Sequence, residues 1–148
     1  MSAYRWMWML PVLFIIAAPV SAQDVGTAAE AKTMLEKVAA DLKANKAKTL
    51  QDISAGTYNK KDLYPFCGAA DGTFTAHGAN KTLVGQSMKD RKDAAGKAYG
   101  EEFYKDAQSG KFLEVSYVFP KPGDTTPVAK SSYITKVDDQ VCGVGYYK

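Results

Sequence analysis

The hydrophobic period changes once along this chain, and that change limits the folds it can adopt. Between residues 25 and 45, apolar side chains recur at three- and four-residue steps, which predicts one long amphipathic helix. These residues are Ala28, Ala31, Met34, Leu35, Val38, Ala39 and Leu42. After Gly56 the apolar runs become short and are separated by turn residues, a pattern typical of strands. A helix followed by several short strands predicts an α+β domain.

The segments after Gly56 predict two groups of strands. DLYPFC and GTFTAH are joined through Asp71-Gly72, which favours a hairpin because glycine tolerates positive φ and aspartate bonds to nearby backbone. The later strand candidates are residues 111–119, 128–137 and 141–148, with the proline-rich PKPGDTTP as an exposed hairpin tip. Between the groups, residues 97–110 carry aromatic side chains at a four-residue step, which predicts a short helix.

Residues 1–22 are predicted to be a secretory signal peptide. Arg5 precedes an apolar run from residue 7 to residue 20, and small side chains end at Ala22. The alternative is an uncleaved membrane anchor, but the run is shorter than the roughly 20 residues that span a bilayer and contains two prolines. We therefore expect cleavage after Ala22, one domain over residues 23–148, and a periplasmic or secreted location.

The two cysteines, Cys67 and Cys142, are predicted to form a disulfide. In an oxidising compartment, an even pair without CxxC spacing favours a structural bond over a redox centre. Such a bond would stabilise the fold by roughly 4 kcal/mol in the loop-entropy account. The alternative is two separately buried thiols. The formal net charge is +3 with lysines and acids interleaved, which does not indicate a nucleic-acid partner.

The chain offers little material for an enzyme. A zinc site is not expected, because there is one histidine and no HxxxH, HxE or CxxC spacing. A nucleophilic pair of Cys67 and His77 would need a free thiolate, for which Cys142 competes. Glu101 and Glu102 are adjacent, so on a helix they point about 100° apart and do not form an acid and base pair. We expect no catalytic residue, no metal and no cofactor.

Aromatic and polar residues from several elements are candidates for a binding pocket. The aromatic candidates are Tyr64, Phe66, Tyr99, Phe103, Tyr117, Phe119 and Tyr133, although rings of this kind also fill ordinary cores. Lys130 is a candidate partner for a ligand carboxylate; the alternative is an outward lysine that limits edge aggregation. Tyr133 has the opposite parity, so it shares a pocket with Lys130 only across a bulge. His77 either contacts the ligand or bonds to backbone.

The element order and several stretches resemble the single Cache domain family, extracellular PAS-like domains that sense small ligands. The stretches are DLYPFC, ADGTFTAHG, LVGQSMKD, GKAYGEEF, VSYVFPKPG, VAKSSYITKV and VCGVGYYK, within residues 28–148. The resemblance implies a five-stranded antiparallel sheet of order 2-1-5-4-3, a long N-terminal helix packed on it, and a loop-helix segment covering one face. It places Cys67 and Cys142 on adjacent strands. It also places the ligand under the covering segment, so Tyr99, Phe103 and Tyr117 are the preferred lining residues.

The resemblance implies a binding or sensing module in chemotaxis or signal transduction, with a small carboxylate or similar polar metabolite as ligand. Cache domains usually form the outer part of a chemoreceptor or sensor kinase, whereas this sequence ends at Lys148. We therefore expect a free binding protein or a partner of a membrane-bound sensor. An alternative is an interaction module whose pocket is filled by its own side chains. A thiol-dependent enzyme is a third, less favoured hypothesis.

Overall fold

The computed structural model describes residues 25–148, which fold in the predicted element order. The helices are α1 (Ala28–Ala44), α2 (Lys46–Ser54), a 3₁₀ turn (Lys81–Leu83) and α3 (Tyr99–Asp106). The strands are β1 (Pro65–Ala69), β2 (Phe74–His77), β3 (Leu113–Pro120), β4 (Pro127–Val137) and β5 (Gln140–Tyr147). The predicted signal peptide, residues 1–22, lies outside the described residues. Each helix within residues 25–148 is too short or too polar to span a bilayer.

A capping box starts α1 at the position where the apolar period begins. The hydroxyl of Thr27 accepts a hydrogen bond from the Glu30 backbone at 3.2 Å, and the Glu30 carboxylate accepts one from the Thr27 backbone at 2.9 Å. Asn45 ends α1 and caps α2 by accepting from the Lys48 backbone at 3.1 Å. The buried residues of α1 are Ala31, Leu35, Val38 and Leu42, all members of the predicted stripe.

The five strands form one antiparallel sheet in the order β2-β1-β5-β4-β3, which confirms the predicted topology. The β1–β2 hairpin turns at Asp71-Gly72. Gly72 has a φ of 96°, in the region that favours glycine, and Asp71 accepts a hydrogen bond from the Thr73 backbone at 2.9 Å. The turn predicted at Asp71-Gly72 is therefore present, and both residues have the roles that the sequence predicted.

A disulfide joins the two neighbouring strands β1 and β5. Cys67 lies directly opposite Cys142 in the strand register, and their Cα atoms are 4.1 Å apart. The predicted bond is confirmed, and both sulfur atoms lie in the core between the sheet and α1. Neither cysteine is therefore a free thiolate available to His77.

The sheet has two differently covered faces. One face packs on α1 and α2, and this α1 face contains both cysteines. The opposite face, called here the cavity face, packs on α3 and on the loop before it. Its core contains Phe66, Tyr99, Phe103, Tyr117 and Ile134. The aromatic residues proposed from the sequence thus meet mainly on the cavity face, which is where the candidate site lies.

Candidate functional site

A small cavity lies between the cavity face and the chain that covers it. Its volume is about 20 Å³. The lining residues are Tyr64, Phe66, Phe74, His77, Leu83, Arg91, Tyr99, Phe103, Tyr117, Phe119 and Lys130. A space of this size holds about one water molecule. The site therefore has the apolar walls and the few polar groups of a ligand pocket. The side chains of its lining residues leave only this small space between them.

A covering segment, residues 88–106, lies over this cavity and contributes Arg91, Tyr99 and Phe103 to its lining. It is fastened to β3 by Asp93, whose carboxylate accepts a hydrogen bond from the Val118 backbone at 3.0 Å. It is fastened to β1 by Tyr104, whose hydroxyl donates to the carbonyl of Ala69 at 2.7 Å. The segment thus spans the sheet between two polar attachments that lie on different strands.

Lys130 extends from β4 into a cage of aromatic rings and is only 1% exposed. Its Nζ donates to the hydroxyl of Tyr64 at 2.7 Å and to that of Tyr147 at 3.3 Å. It also lies 4.2, 4.8 and 5.1 Å from the ring centroids of Tyr64, Tyr147 and Phe119. Such distances allow cation–π attraction, so the cage both holds and orients the ammonium group.

Burial lowers the pKa of Lys130 from 10.5 to about 7, with the negative charge of Asp62 opposing the shift. Attraction to the surrounding rings also favours the charged form. Lys130 forms no salt bridge with any residue between 25 and 148. Near neutral pH the cavity therefore contains a partly protonated amine with two phenol partners and no carboxylate paired to it.

His77 bonds to backbone through one ring nitrogen, as one of the two sequence interpretations predicted, and its ring also lines the cavity. Nδ1 accepts hydrogen bonds from the backbone of Asn80 at 2.9 Å and Ala79 at 3.2 Å. The proton of the neutral ring is therefore on Nε2. Burial, followed by the positive charges of Lys130 and Arg91, lowers the pKa of His77 to about 3. His77 is thus a neutral hydrogen-bond donor at physiological pH.

Tyr99, Phe103 and Tyr117 lie together on the cavity, where the resemblance placed them. The Tyr99 and Tyr117 rings stack with centroids 4.3 Å apart, and Phe103 packs edge-on against both. The Tyr117 hydroxyl shares a 2.8 Å hydrogen bond with Ser132, and burial raises its pKa. These contacts make a packed aromatic wall, and burial raises the pKa of both of its phenols, so they stay protonated near neutral pH.

Tyr133 lies on the α1 face of the sheet, away from this cavity. β4 keeps continuous register with both of its neighbours, so the alternation of side chains carries through from Lys130 to Tyr133. The Tyr133 ring packs against Tyr146, with centroids 6.0 Å apart, on the core beneath α1. The expectation that Tyr133 shares a pocket with Lys130 is therefore not met.

The candidates drawn from the sequence did not include three of the lining residues, Phe74, Leu83 and Arg91. They also did not include Tyr147, which contacts the amine of Lys130. Tyr147 lies opposite Lys130 in the register of β4 and β5, and alternation along the last strand could have identified it. Arg91 lies over the ring of Phe74, 5.8 Å from its centroid, at the edge of the cavity. It belongs to a polar stretch without hydrophobic period, so no sequence signal marks it.

Several solved structures share this fold. A methyl-accepting chemotaxis protein from Vibrio parahaemolyticus has a TM-score of 0.66 and 24% identity, over 80% of this chain and 86% of that one. A periplasmic sensor domain of a chemotaxis protein has a TM-score of 0.63 and 25% identity, over 78% and 86%. A Cache chemosensory domain studied for carboxylic acid recognition has a TM-score of 0.60 and 24% identity, over 78% and 84%.

Comparison of the sequence with curated proteins finds no match. A profile of the Cache domain family matches residues 25–148, which are all of the residues that the structure describes. That match covers much more than half of the chain, and the strand order agrees with the structures above. The chain therefore belongs to the Cache domain family.

Proposed function

We propose that this protein is a sensing module, not an enzyme, and that it binds a small carboxylate or similar anionic metabolite under the covering segment. The observation that carries this proposal is the amine of Lys130, which is 1% exposed and faces the cavity. A buried charge is costly unless it is paired, and a ligand carboxylate would pair with it through a charge-assisted hydrogen bond.

The groups around Lys130 suit an anion with a short apolar tail. The Tyr64 and Tyr147 hydroxyls already contact Nζ, and His77 supplies a further donor from Nε2. Phe103 and the other rings provide apolar walls. Because the cavity is about 20 Å³, even acetate requires the rings or the covering segment to move outward. The smallest acids need the least movement and are the first to test.

The similar structures support this assignment of function without identifying the ligand. One is a Cache chemosensory domain that recognises carboxylic acids, and others come from chemotaxis proteins. In the proposal the ligand-bound module acts as a free binding protein or with a membrane-bound receptor or sensor kinase. The proposed signal peptide, residues 1–22, would deliver the domain of residues 23–148 to the periplasm or the medium. A mature chain that does not begin at Gln23, measured by intact mass, would contradict that boundary.

A thermal-shift comparison of acetate with acetamide tests the proposed ligand class. The two molecules have nearly the same shape, but only acetate carries a charge for Lys130. A ligand that binds only the folded state at 100 times its Kd adds about 2.7 kcal/mol to its stability. We expect acetate or propionate to raise the melting temperature of the oxidised protein by several degrees, and the matched amides to leave it unchanged. Equal shifts from acid and amide would exclude pairing with the amine.

A second candidate function is a protein-interaction module with no ligand of its own. The observation that favours it is the small volume of the cavity, about 20 Å³, which the protein's own rings leave almost filled. If no acid of up to four carbons changes the melting temperature of correctly oxidised protein, this second function becomes the better account. A shift produced by one acid and absent with its amide would exclude it as the sole function.

A further inference from the structure

Gly145 in β5 lies directly beneath the side chain of Lys130. A Cβ atom at this position would lie 2.2 Å from Cε of Lys130 and 2.6 Å from Oγ of Ser132. A Cβ atom less than 3.0 Å from another heavy atom forces one of them to move. Gly145 does not have a positive φ, so its backbone would accept other residues. What the structure requires at this position is space.

That space lies on the path that the lysine side chain follows. Lys130 is on β4, and the strand order places β5 between β4 and β1. Tyr64, which immediately precedes β1, accepts the hydrogen bond from Nζ at 2.7 Å. The side chain therefore starts on one strand, crosses the next, and meets its partner beside the third. It crosses β5 at Gly145, which faces Ser132 in the register.

We infer that Gly145 is a positioning residue for the site: its missing side chain allows Lys130 to lie flat across β5 and place its amine in the aromatic cage. The importance of Gly145 for recognition of a carboxylate rests on the proposed function, whereas its control of the position of Lys130 does not. With a methyl group at this position, Cε must shift and Nζ can no longer reach Tyr64 in the present geometry.

A second glycine in the same strand supplies a matched control. A Cβ at Gly143 would lie 2.5 Å from Cδ1 of Ile134 and 2.6 Å from Cζ of Phe66. It would thus crowd the same face of β5 to a similar degree, but the three atoms nearest to it belong to Ile134 and Phe66 and not to Lys130. Gly143→Ala and Gly145→Ala therefore add the same group to the same strand, and they differ in the side chain that must move.

The direct measurement is an NMR titration of Lys130 in protein carrying ¹³C-labelled lysine, with the signal assigned by its loss in Lys130→Met. In the present conformation, burial holds the pKa of Lys130 at about 7. We expect Gly145→Ala to move the titration midpoint upward by about one unit or more, because the displaced amine leaves the cage towards solvent. Gly143→Ala should leave the midpoint where it is. An unchanged midpoint in Gly145→Ala, or an equal change in both variants, would overturn the inference.

Acetate affinity separates this inference from the proposed function. We expect Gly145→Ala to weaken acetate binding at least tenfold in the wild-type background. In the Lys130→Met background it should cause no further loss of acetate affinity. A shifted lysine midpoint with unchanged acetate affinity would retain the positioning role and contradict the proposed function. An equal loss of affinity in both backgrounds would contradict the positioning role.

A double variant covers the case in which Gly145→Ala does not fold. Lys130→Ala removes Cε and Nζ, two of the three atoms closest to the new methyl group, and leaves Oγ of Ser132 in place. If Lys130→Ala restores the fold of Gly145→Ala, the collision is with the lysine, as inferred. If the double variant is as unfolded as the single one, crowding elsewhere is responsible and the inference fails.

Discussion

Lys130→Met is expected to stabilise the unliganded protein below about pH 7 and to weaken acetate binding roughly 100-fold. Methionine fills similar volume without a charge to desolvate, although it leaves the Tyr64 hydroxyl without its present donor. The affinity loss follows from removing a charge-assisted hydrogen bond of about 2–3 kcal/mol. The same residue is therefore predicted to lower the stability of the free protein and to supply its recognition of anions.

The sign of the pH dependence follows from the lowered pKa. Lys130 has a pKa of about 7 when folded and an ordinary value of 10.5 in the unfolded chain. Between these values the unfolded state binds more protons, so the free energy of unfolding rises with pH. The stability advantage of Lys130→Met should therefore shrink by on the order of 3 kcal/mol between about pH 6 and pH 9.5. Other titrating groups cancel in this difference between two variants.

Urea unfolding of both proteins across this pH range measures the effect. Lys136→Met is a suitable control, because Lys136 lies on the same strand but is exposed. The Lys130→Met difference is compared at each pH with the difference that Lys136→Met produces. A Lys130→Met difference that changes with pH no more than the Lys136→Met difference would show that the amine titrates normally in the folded protein, which contradicts its placement in a desolvated cage.

Loss of the disulfide is expected to have the second large effect, lowering the free energy of unfolding by roughly 2–5 kcal/mol. The bond closes a loop with a sequence separation of 75 and links β1 to β5 in the middle of the sheet. Both sulfur atoms are buried against α1, so a reductant reaches them only when the core opens. Denaturant unfolding with and without a thiol reductant, with reduction confirmed by alkylation and mass, measures the change.

The paired variant Cys67→Ala with Cys142→Ala serves as a check on that experiment. It removes the covalent link and leaves no thiols to oxidise again. Its denaturant midpoint should lie close to that of the reduced protein. The loss of the buried sulfur atoms should lower that midpoint slightly further. A reduced protein that unfolds at the same denaturant concentration as the oxidised protein would contradict a stabilising role for the bond.

The fold was largely predictable because local chemistry and hydrophobic period agree along this chain. Thr27 and Glu30 cap a helix where the apolar stripe begins, and Asp71-Gly72 turns the first hairpin. Cysteine count and compartment favoured a bond, and the strand register then brought Cys67 opposite Cys142. The order of the strands came from the family resemblance, since periodicity alone does not say which strands are neighbours.

The site was less predictable, because its geometry depends on which strand faces meet. Tyr133 has the opposite parity to Lys130 and could share its pocket only across a bulge, but continuous register keeps their side chains on opposite faces. The cage also requires Tyr147, which is a partner of Lys130 only through strand pairing. The path of the lysine over Gly145 depends on spatial contacts between strands, and the amino-acid pattern along the chain contains no sign of it.

The central claim is that the carboxylate of a ligand pairs with Lys130, and proton uptake on binding tests it most directly. Isothermal titration of acetate at about pH 8, in two buffers of different ionisation enthalpy, gives the number of protons bound with the ligand. In the protein without ligand the pKa of Lys130 is about 7, so at about pH 8 most molecules have a neutral amine. A carboxylate paired with this amine would raise its pKa. We predict uptake approaching one proton per acetate, whereas acetate binding without proton uptake would contradict the account.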